Sequence, residues 1–481
     1  MSSKETEYFA DWNERSMKAE MMIPIIGKLY REKSVIITLY GRSLVNKTAI
    51  DIIKEHRFAR KILENELSVN DTYPIMSTIQ NMELSPCKID IGKLTVKYLE
   101  QNPGDIKKFL ENELKEAFRE DKNVLKNPRD VVLYGFGRIG RLIARILIDK
   151  IGRGDKLRLK AIVVRKGGKD DLVKRAALLR RDSVHGQFNG TVRVDEEENA
   201  IIANGVMIKV LYANSPEELD YTAHGINDAI IVDNTGKWRD REGLSQHLKA
   251  KGASKVVLTA PGKGDVPNIV YGVNHSEINS ANEDIFSAAS CTTNAIVPVL
   301  KVIDDEYKIR TGHIETCHSY TNDQNLIDNY HKKSRRGRSA PLNMVITETG
   351  AAKAVAKALP NLSGKLTGNA IRVPTPNVSM AVLMLQLEKE TNRESLNYHV
   401  RGKSLNSDLQ WQIDYTNSPE VVSSDFVGSR FACIFDSQAT IVDGDRCVLY
   451  MWYDNEFGYC TQVVRIVQNI AGINLLTLPK V

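Results

Sequence analysis

A cysteine in the middle of the chain lies in a sequence typical of a nucleophile. Residues 290–294 read S-C-T-T-N, and a helical run over 295–306 follows directly. At the start of that helix the positive end of the dipole favours a thiolate at Cys291, whereas an ordinary thiol has a pKa of about 8.5. His318 follows a predicted strand over 312–317 and is a candidate base. This pair of residue types predicts a thiolate activated by an imidazole.

A glycine-rich turn upstream predicts a nucleotide site. The order of elements is a strand over 131–134, the turn G-F-G-R-I-G at 135–140, a helical run over 141–148 and a second strand over 159–164. Gly135 allows a tight turn, Gly137 lets the backbone approach a pyrophosphate, and Gly140 lets the helix sit close to the sheet. An ordinary glycine turn is the alternative, but the flanking strand and helix favour a dinucleotide fold.

The end of the second strand bears on which nicotinamide cofactor is used. An acid at this place normally accepts from the ribose 2′-OH of NAD, but the sequence after Val164 reads R-K-G-G-K and has no acid there. Arg165, Lys166 and Lys169 could instead meet a 2′-phosphate. The turn therefore predicts acceptance of NADP, with NAD as an additional cofactor. A basic surface turn without a ligand is the alternative.

Composition and charge exclude several classes of protein. The chain has 481 residues, 42% of them hydrophobic, and a net charge of +6, which is too mild for a nucleic-acid binder. No apolar run approaches the roughly 18–20 residues that span a bilayer, and the polar start is unlike a secretory signal or a transit peptide. None of the six cysteines forms a C-x-x-C pair, so we predict no metal site and a reduced, cytoplasmic location.

The pattern of elements predicts three domains of an α/β and α+β protein. Residues 1–127 have apolar residues at helical spacing and predict a helical N-terminal extension, with breaks at 70–71 and 102–105. Residues 128–290 predict a Rossmann nucleotide-binding domain, completed by a C-terminal helix within 456–481. Residues 291–455 predict an α+β catalytic domain with a mixed sheet. The extension carries no chemical motif, and its partner is unknown.

From residue 129 onward the chain resembles the phosphorylating glyceraldehyde-3-phosphate dehydrogenases. The matching segments are GFGRIGR at 135–141, DSVHGQFNGTV at 182–192, SCTTN at 290–294, HSYTNDQ at 318–324, TGAAKAVAKALPNLSGKLTG at 349–368, RVPTPNVS at 372–379 and WYDNEFGY at 452–459. Seven blocks in the family's order are far more specific than any one motif. The resemblance, from residue 129 to the end, covers nearly three quarters of the chain.

The resemblance implies a role for each matching residue. Cys291 corresponds to the nucleophile, His318 to its base, and Asn455 to the asparagine that orients the nicotinamide carboxamide. The residues implied to bind the substrate phosphate or the attacking inorganic phosphate are Thr321, Asp323, Arg336, Ser290, Thr292, Thr349, Gly350 and Arg372. The residues implied to bind the cofactor are Gly135, Gly137, Arg138, Ile139, Gly140, Arg165, Thr259, Asn455 and Tyr459.

Two departures from the family pattern affect these expectations. The family's common second cysteine, four residues after the nucleophile, is Ala295 here, so a redox role for that pair is absent. Asn329-Tyr330 replaces the Leu-Pro pair of strictly NAD-dependent members, which again weakens specificity for NAD.

The implied activity is oxidation of glyceraldehyde 3-phosphate, with phosphate and NAD(P), to 1,3-bisphosphoglycerate through a cysteine thioester. The implied assembly is a homotetramer. The basic run over 331–338 is either a solvated loop or an anion site. Two rival functions stay open, namely an erythrose-4-phosphate dehydrogenase and a regulatory or binding protein on the same scaffold. The block at 349–353, which matches an inorganic-phosphate site, argues against the first, and retention of Cys291, His318 and Arg372 argues against the second.

Overall fold

The computed structural model describes residues 3–59 and 67–480. In this part of the chain, the strands form a four-stranded, an eight-stranded and a seven-stranded sheet, together with a two-stranded ribbon. Each of the three large sheets is packed against helices and has buried apolar residues of its own.

The N-terminal extension combines helices with a small sheet. Its elements are α1 (Ser3–Lys33), β1 (Ile36–Leu39), β2 (Arg42–Ser43), α2 (Ala49–Ala59), α3 (Val69–Ile79), β3 (Cys87–Asp90), α4 (Ile91–Gln101) and α5 (Ile106–Glu113). Helix α1 packs on α2 and α3, and the buried core includes Met22, Leu29 and Met76. The helices agree with the prediction, but the strands were not predicted, because β1 and β3 are only four residues long and pair across about fifty residues of sequence.

One predicted break in the extension is wrong. Asn70 and Asp71 do not interrupt structure but lie in the first turn of α3, where Ser68 is the N-cap and accepts from the N–H of Asn70. Asp71 accepts from the backbone N–H of Ser68, completing a capping box. The polar residues therefore start a helix. The second break is confirmed, since α4 ends at Gln101 and Asp105 caps α5.

The nucleotide-binding unit is built on the eight-stranded sheet. Its elements are β4 (Arg129–Tyr134), α6 (Arg138–Asp149), β5 (Leu157–Val164), α7 (Asp171–Arg180), β6 (Arg181–Asp182), β7 (Gly186–Gln187), β8 (Val192–Asp195), β9 (Ala200–Ala203), β10 (Val206–Tyr212), β11 (Ala229–Asp233), α8 (Arg241–Ser245), β12 (Ala253–Leu258) and β13 (Ile285–Ser287). The strand order is β13-β12-β11-β4-β5-β10-β9-β8, and the run from β13 to β10 is parallel. This is a doubly wound sheet, as predicted.

The catalytic unit is built on the seven-stranded sheet. Its elements are α9 (Cys291–Tyr307), β14 (Ile309–Ser319), β15 (Val345–Glu348), α10 (Ala351–Ala358), β16 (Leu366–Val373), β17 (Ser379–Leu387), α11 (Arg393–Asn406), β18 (Ile413–Thr416), β19 (Cys433–Asp443) and β20 (Arg446–Tyr453). The order is β15-β16-β14-β17-β20-β19-β18. Strands β14 and β16 run parallel while β14 and β17 run antiparallel, so the sheet is mixed, as predicted.

The C-terminal tail joins the other units. Helix α12 (Phe457–Ile470) packs on α6, and its Val463 and Val467 are buried in the core of the nucleotide-binding unit. Strand β21 (Leu476–Leu478) then leaves that unit and pairs in parallel with β3 of the extension. The first and last parts of the chain thus share one sheet. The boundaries 1–127, 128–290 and 291–455 stay a prediction.

Candidate active site

The glycine turn lies between β4 and α6 and leaves open space where a pyrophosphate would approach. Gly135 has a φ of +97°, which favours glycine, and a Cβ at Gly140 would lie 2.4 Å from the carbonyl oxygen of Gly135. Gly137 is the N-cap of α6, and a Cβ built there would meet no atom within 4 Å. The first N–H groups of a helix have no intrahelical partner and attract anions. This cradle therefore fits the diphosphate of a dinucleotide.

The other predicted cofactor residues lie around the same edge of the sheet. Thr259 follows β12, and its hydroxyl donates to the carbonyl of Asp233 at the end of β11 (3.0 Å). Ile139 is half-buried in the first turn of α6. The Arg138 side chain forms ion pairs with Asp182 and Glu456. Its guanidinium is thus engaged by protein, which leaves the backbone N–H for a ligand.

The turn after β5 is ordered by hydrogen bonds. Arg175 donates to the carbonyl of Arg165 (2.9 Å), and Asp171 accepts from the N–H of Gly167 (3.2 Å). The exposed side chain of Arg165 forms no ion pair with any other described residue. Asp171, an acid that sequence reasoning overlooked, is itself paired with Arg175 at 2.7 Å.

Cys291 is the first residue of α9 and follows a strained backbone position. Ser290 is the N-cap and accepts from the N–H of Thr293 (3.0 Å). Ala289 has a φ of +54°, which is costly for a residue with a Cβ. Its N–H donates to Ser287 Oγ (3.0 Å), and its carbonyl accepts from the hydroxyl of Tyr459 (2.9 Å). The Tyr459 hydroxyl thus helps to hold the turn that aims Cys291.

The predicted nucleophile and base are in contact. The Sγ atom of Cys291 lies 3.4 Å from Nε2 of His318. Nδ1 of His318 lies 2.7 Å from the carbonyl oxygen of Ser319, which can only accept. Nδ1 also lies 2.9 Å from Arg372 Nη1, which can only donate. We assign the proton to Nδ1 on the shorter contact, to the carbonyl oxygen, which leaves the lone pair of Nε2 facing the thiol.

Burial and a nearby cation set the protonation of this pair. Burial, reinforced by the charge of Arg372, lowers the pKa of His318 to about 3, so the ring is neutral at pH 7. Burial raises the pKa of the Cys291 thiol, while Arg372 acts in the opposite direction. Without a ligand both side chains of the pair are therefore neutral, with the lone pair of His318 Nε2 next to the thiol.

Two arginines of the predicted substrate-phosphate site lie close enough for the charge of one to act on the other. Burial, reinforced by repulsion from Arg372, lowers the pKa of Arg336. Burial also lowers the pKa of Arg372. The Nε atoms of both are buried without a partner among the described residues. Thr321 donates to Asp323, which also forms an ion pair with Arg336, and Arg372 Nη1 lies 3.5 Å from Thr321 Oγ1. The predicted substrate-phosphate residues are therefore neighbours.

The residues predicted for the attacking phosphate lie at two helix starts. Gly350 is the N-cap of α10, and Thr349 Oγ1 accepts from the N–H of Ala351 (3.2 Å). Ser290 and Thr292 lie at the start of α9, but the Thr292 hydroxyl is already 3.0 Å from that of Tyr453. Helix α10 packs against α9.

Sequence reasoning missed two buried side chains that support the site. The Tyr453 hydroxyl lies between the hydroxyls of Thr292 (3.0 Å) and Thr316 (2.8 Å). Ser379 donates to Oδ1 of Asn455 (2.9 Å) and leaves the NH2 group of that amide available to donate. Both residues lie within the quoted blocks at 372–379 and 452–459, which was the only available signal.

The doubly wound sheet, the glycine turn and the paired thiol and imidazole together define an NAD(P)-dependent oxidoreductase. Residues 129–241 match the model for the NAD-binding domain of glyceraldehyde 3-phosphate dehydrogenase, and residues 290–455 match the model for its C-terminal domain. The chain belongs to the glyceraldehyde-3-phosphate dehydrogenase family.

Similar proteins differ in how much of this chain they match. A glyceraldehyde-3-phosphate dehydrogenase-like protein of Pseudomonas aeruginosa is 60% identical over 95% of this chain and 100% of its own length, so the match includes most of the extension. A chloroplastic glyceraldehyde-3-phosphate dehydrogenase of Arabidopsis thaliana is 44% identical over 73% of this chain and 86% of its own length. Glyceraldehyde-3-phosphate dehydrogenase 1 of Bacillus subtilis is 39% identical over 71% of this chain and 98% of its own length.

None of the described helices combines the length and the apolar character that a membrane span requires.

Proposed function

We propose that this protein is a phosphorylating glyceraldehyde-3-phosphate dehydrogenase that uses NAD(P). The observation that carries the proposal is the contact of 3.4 Å between Cys291 Sγ and His318 Nε2, beside two arginines with free buried Nε–H groups. A nucleophile for an aldehyde thus lies next to cations suited to a phosphorylated substrate.

His318 and the start of α9 carry the first step. His318 Nε2 takes the proton of Cys291 as sulfur attacks the aldehyde carbon, and a hemithioacetal forms. The imidazolium, with the free backbone N–H at the start of α9, stabilises the oxygen that becomes negative and then returns its proton to that oxygen, which gives the hydroxyl group of the hemithioacetal and a neutral imidazole. His318 then accepts the hydroxyl proton of the hemithioacetal in the oxidation that yields the thioester.

The bound nicotinamide supplies the acceptor for the hydride. Asn455, fixed by Ser379, would hold its carboxamide, and the N-terminus of α6 would hold the diphosphate. Inorganic phosphate near Thr349 and Arg372 would attack the thioester carbon and release Cys291 as the leaving thiolate. The products are 1,3-bisphosphoglycerate and reduced cofactor, and the sequence is reversible.

The active assembly is proposed to be a homotetramer. The loop that carries Arg336 and the start of strand β15 after it expose apolar side chains that a neighbouring subunit would cover. They include Leu326, Ile327, Tyr330, Leu342, Met344 and Ile346, all of which are more than half exposed in the single chain. Exposed apolar clusters of this kind mark protein interfaces. Sedimentation that shows a fully active monomer would contradict this part of the proposal.

Initial rates at 340 nm test the activity. We expect reduction of cofactor with glyceraldehyde 3-phosphate to require inorganic phosphate, and Cys291→Ser to serve as the inactive control. Equal rates with and without phosphate would contradict the proposal and would indicate that water attacks the thioester instead of phosphate. Preference for erythrose 4-phosphate by kcat/KM would favour the related dehydrogenase for that sugar.

A further inference from the structure

A large cleft lies where the extension meets the other two units. Its volume is about 1080 Å³, above the range of roughly 300–1000 Å³ usual for small-molecule sites. We call it the junction cleft and define it by Tyr30, Lys88, Lys150, Trp411, Arg430 and Arg465, which line it. None of the predicted active-site residues lines this cleft.

The fold directs three cations into the junction cleft. Lys88 lies on β3 between Cys87 and Ile89, which are both fully buried in the core of the extension, so alternation along the strand places Lys88 on the opposite face. Lys150 is the C-cap of α6. Arg465 lies on α12 between Val464 and Ile466, which are both buried in the core of the nucleotide-binding unit.

The local partners of these cations are neutral. Lys88 Nζ lies 4.4 Å from the ring centroid of Trp411, and Arg465 donates to the backbone carbonyl of Trp411 and to Gln462 Oε1 (2.9 Å). The C-terminus of α6 offers Lys150 the partial charge of a helix end, and the carboxylate of the adjacent Asp149 favours the charged lysine without forming an ion pair with it. Within residues 3–59 and 67–480, no carboxylate forms an ion pair with any of the three.

Three of the carboxylates that line the cleft form ion pairs with two arginines that also line it. Arg42 forms ion pairs with both Glu55 (3.3 Å) and Asp414 (2.5 Å). Asp149 accepts from Arg430 (3.1 Å) and from Asn46 (2.7 Å). The lining as a whole carries six lysine and arginine side chains and six carboxylates, so the excess of positive charge is confined to the part around Lys88, Lys150 and Arg465.

The cations disturb one another in the absence of an anion. Burial lowers the pKa of Lys150 to about 7, with further lowering from Arg430, Arg465 and Lys88. Burial lowers the pKa of Lys88 to about 8, with contributions from Arg465 and from Lys156. Half-buried like charges of this kind are costly unless an anion joins them.

We propose that the junction cleft binds a small molecule carrying at least two phosphate charges, held by Lys88, Lys150 and Arg465. Lysines supply point charges and arginine a planar fork, the two modes by which proteins bind phosphate. The ring of Trp411 and the neighbouring aromatic residues Tyr271 and Phe431 give the rest of such a ligand an apolar wall. This site goes beyond the dehydrogenase chemistry, since none of the predicted active-site residues lines it and the extension contributes Lys88 to it.

Calorimetric titration of the full chain with inorganic pyrophosphate tests the charge requirement. Saturating NADP occupies the cofactor site, and carboxymethylation of Cys291 blocks turnover. We expect one site that Lys88→Met/Lys150→Met weakens at least a hundredfold. The control, Lys107→Met/Lys115→Met, removes two exposed charges of the extension and should bind as wild type does. Equal affinity of wild type and the cleft variant would overturn the proposal.

Titrations with further ligands distinguish the source of the phosphates, and thermal unfolding checks that the variants are folded. A nucleoside diphosphate binding more tightly than pyrophosphate would indicate a nucleotide, and a sugar bisphosphate binding more tightly would indicate a sugar. Failure of all three probes to bind at millimolar concentration would overturn the proposal.

In thermal unfolding, pyrophosphate should raise the Tm of wild type but not of the cleft variant. Without ligand, Lys150→Met should be at least as stable as wild type, and a lower Tm with unchanged binding would mean a purely structural lysine.

Discussion

His318 and Arg372 are register partners on the parallel strands β14 and β16, and the guanidinium lies 2.9 Å from the imidazole Nδ1. Both Arg372 Nη1 (3.0 Å) and His318 Nδ1–H donate to the carbonyl of Ser319. The strand pairing thus places a cation beside the thiol–imidazole pair as well as beside the proposed substrate phosphate. One residue can therefore affect both the acidity of Cys291 and the affinity for substrate.

Replacement of Arg372 by leucine tests this double effect. Arg372 lowers the pKa of the Cys291 thiol, so its removal should raise that pKa and move the pH profile of iodoacetamide labelling to higher pH. Loss of one charge-assisted contact, worth about 1.5–3 kcal/mol, should lower kcat/KM roughly ten- to a hundredfold. Arg372→Lys keeps the charge but not the fork, so its labelling profile should stay near wild type while KM rises. An unchanged profile in Arg372→Leu would contradict the electrostatic role.

Cys291→Ser should abolish dehydrogenase activity and leave cofactor binding intact. A hydroxyl is a much poorer nucleophile than a thiolate at neutral pH, and Cys291 is not part of the glycine turn that holds the diphosphate. Fluorescence titration with NADP and assays at 340 nm measure the two properties separately. The buried Cys433→Ser serves as a control for a change of the same chemistry away from the site. Substantial turnover by Cys291→Ser would remove Cys291 from its assigned role.

His318→Asn should lower kcat by roughly 10²–10⁴, the usual contribution of a positioned acid and base. Because the pKa of His318 is lowered to about 3, the ring carries no charge in the resting enzyme at pH 7. Its loss should therefore shift the labelling profile of Cys291 less than the loss of Arg372 does. A larger shift in His318→Asn than in Arg372→Leu would show that the imidazole is charged in the resting enzyme.

The sequence predicts the catalytic core better than the extension, and the reason is the range of the contacts. The glycine turn and the start of α9 are local, so Gly137 and Cys291 are recognisable from a few neighbours. The position of Arg372 beside His318 depends on pairing across 54 residues, and only the family blocks indicated it. The pairing of β21 with β3 joins residues about 390 positions apart, and each strand is too short for its alternation of apolar and polar residues to be recognised in the sequence. Such pairing follows from tertiary packing rather than from local propensity.

Deletion of residues 1–127 should leave an active but less stable enzyme. The Bacillus subtilis relative is matched over 98% of its length by 342 residues of this chain, so the family's core does not require an extension. Deletion would expose Leu478, now 2% exposed, and would remove bonds such as Ser34 Oγ to Asp155 (3.0 Å). Each kcal/mol lost lowers the Tm of a domain of this size by roughly 2–4 °C.

Calorimetry and steady-state kinetics of residues 128–481 check this expectation. A second form that ends at residue 474 also lacks β21 and should aggregate less, because the unpaired strand edge is gone. A Tm equal to that of the full chain would mean that the extension adds no stability, and an unfolded product would mean that the core depends on it.

The turn after β5 should allow the enzyme to use NADP as well as NAD. The exposed Arg165 follows the strand directly, and the hydrogen bonds of Gly167 and Arg175 hold the turn in place. A bond from Arg165 to a 2′-phosphate would be worth about 1.5–3 kcal/mol. Arg165→Asp should therefore lower kcat/KM for NADP roughly ten- to a hundredfold and change that for NAD far less. Arg193→Asp makes the same change of charge at an exposed position of strand β8, and it controls for the effect of the net charge of the protein on cofactor binding. Efficient turnover of NAD by wild type with no measurable activity on NADP would make this interpretation of the turn wrong.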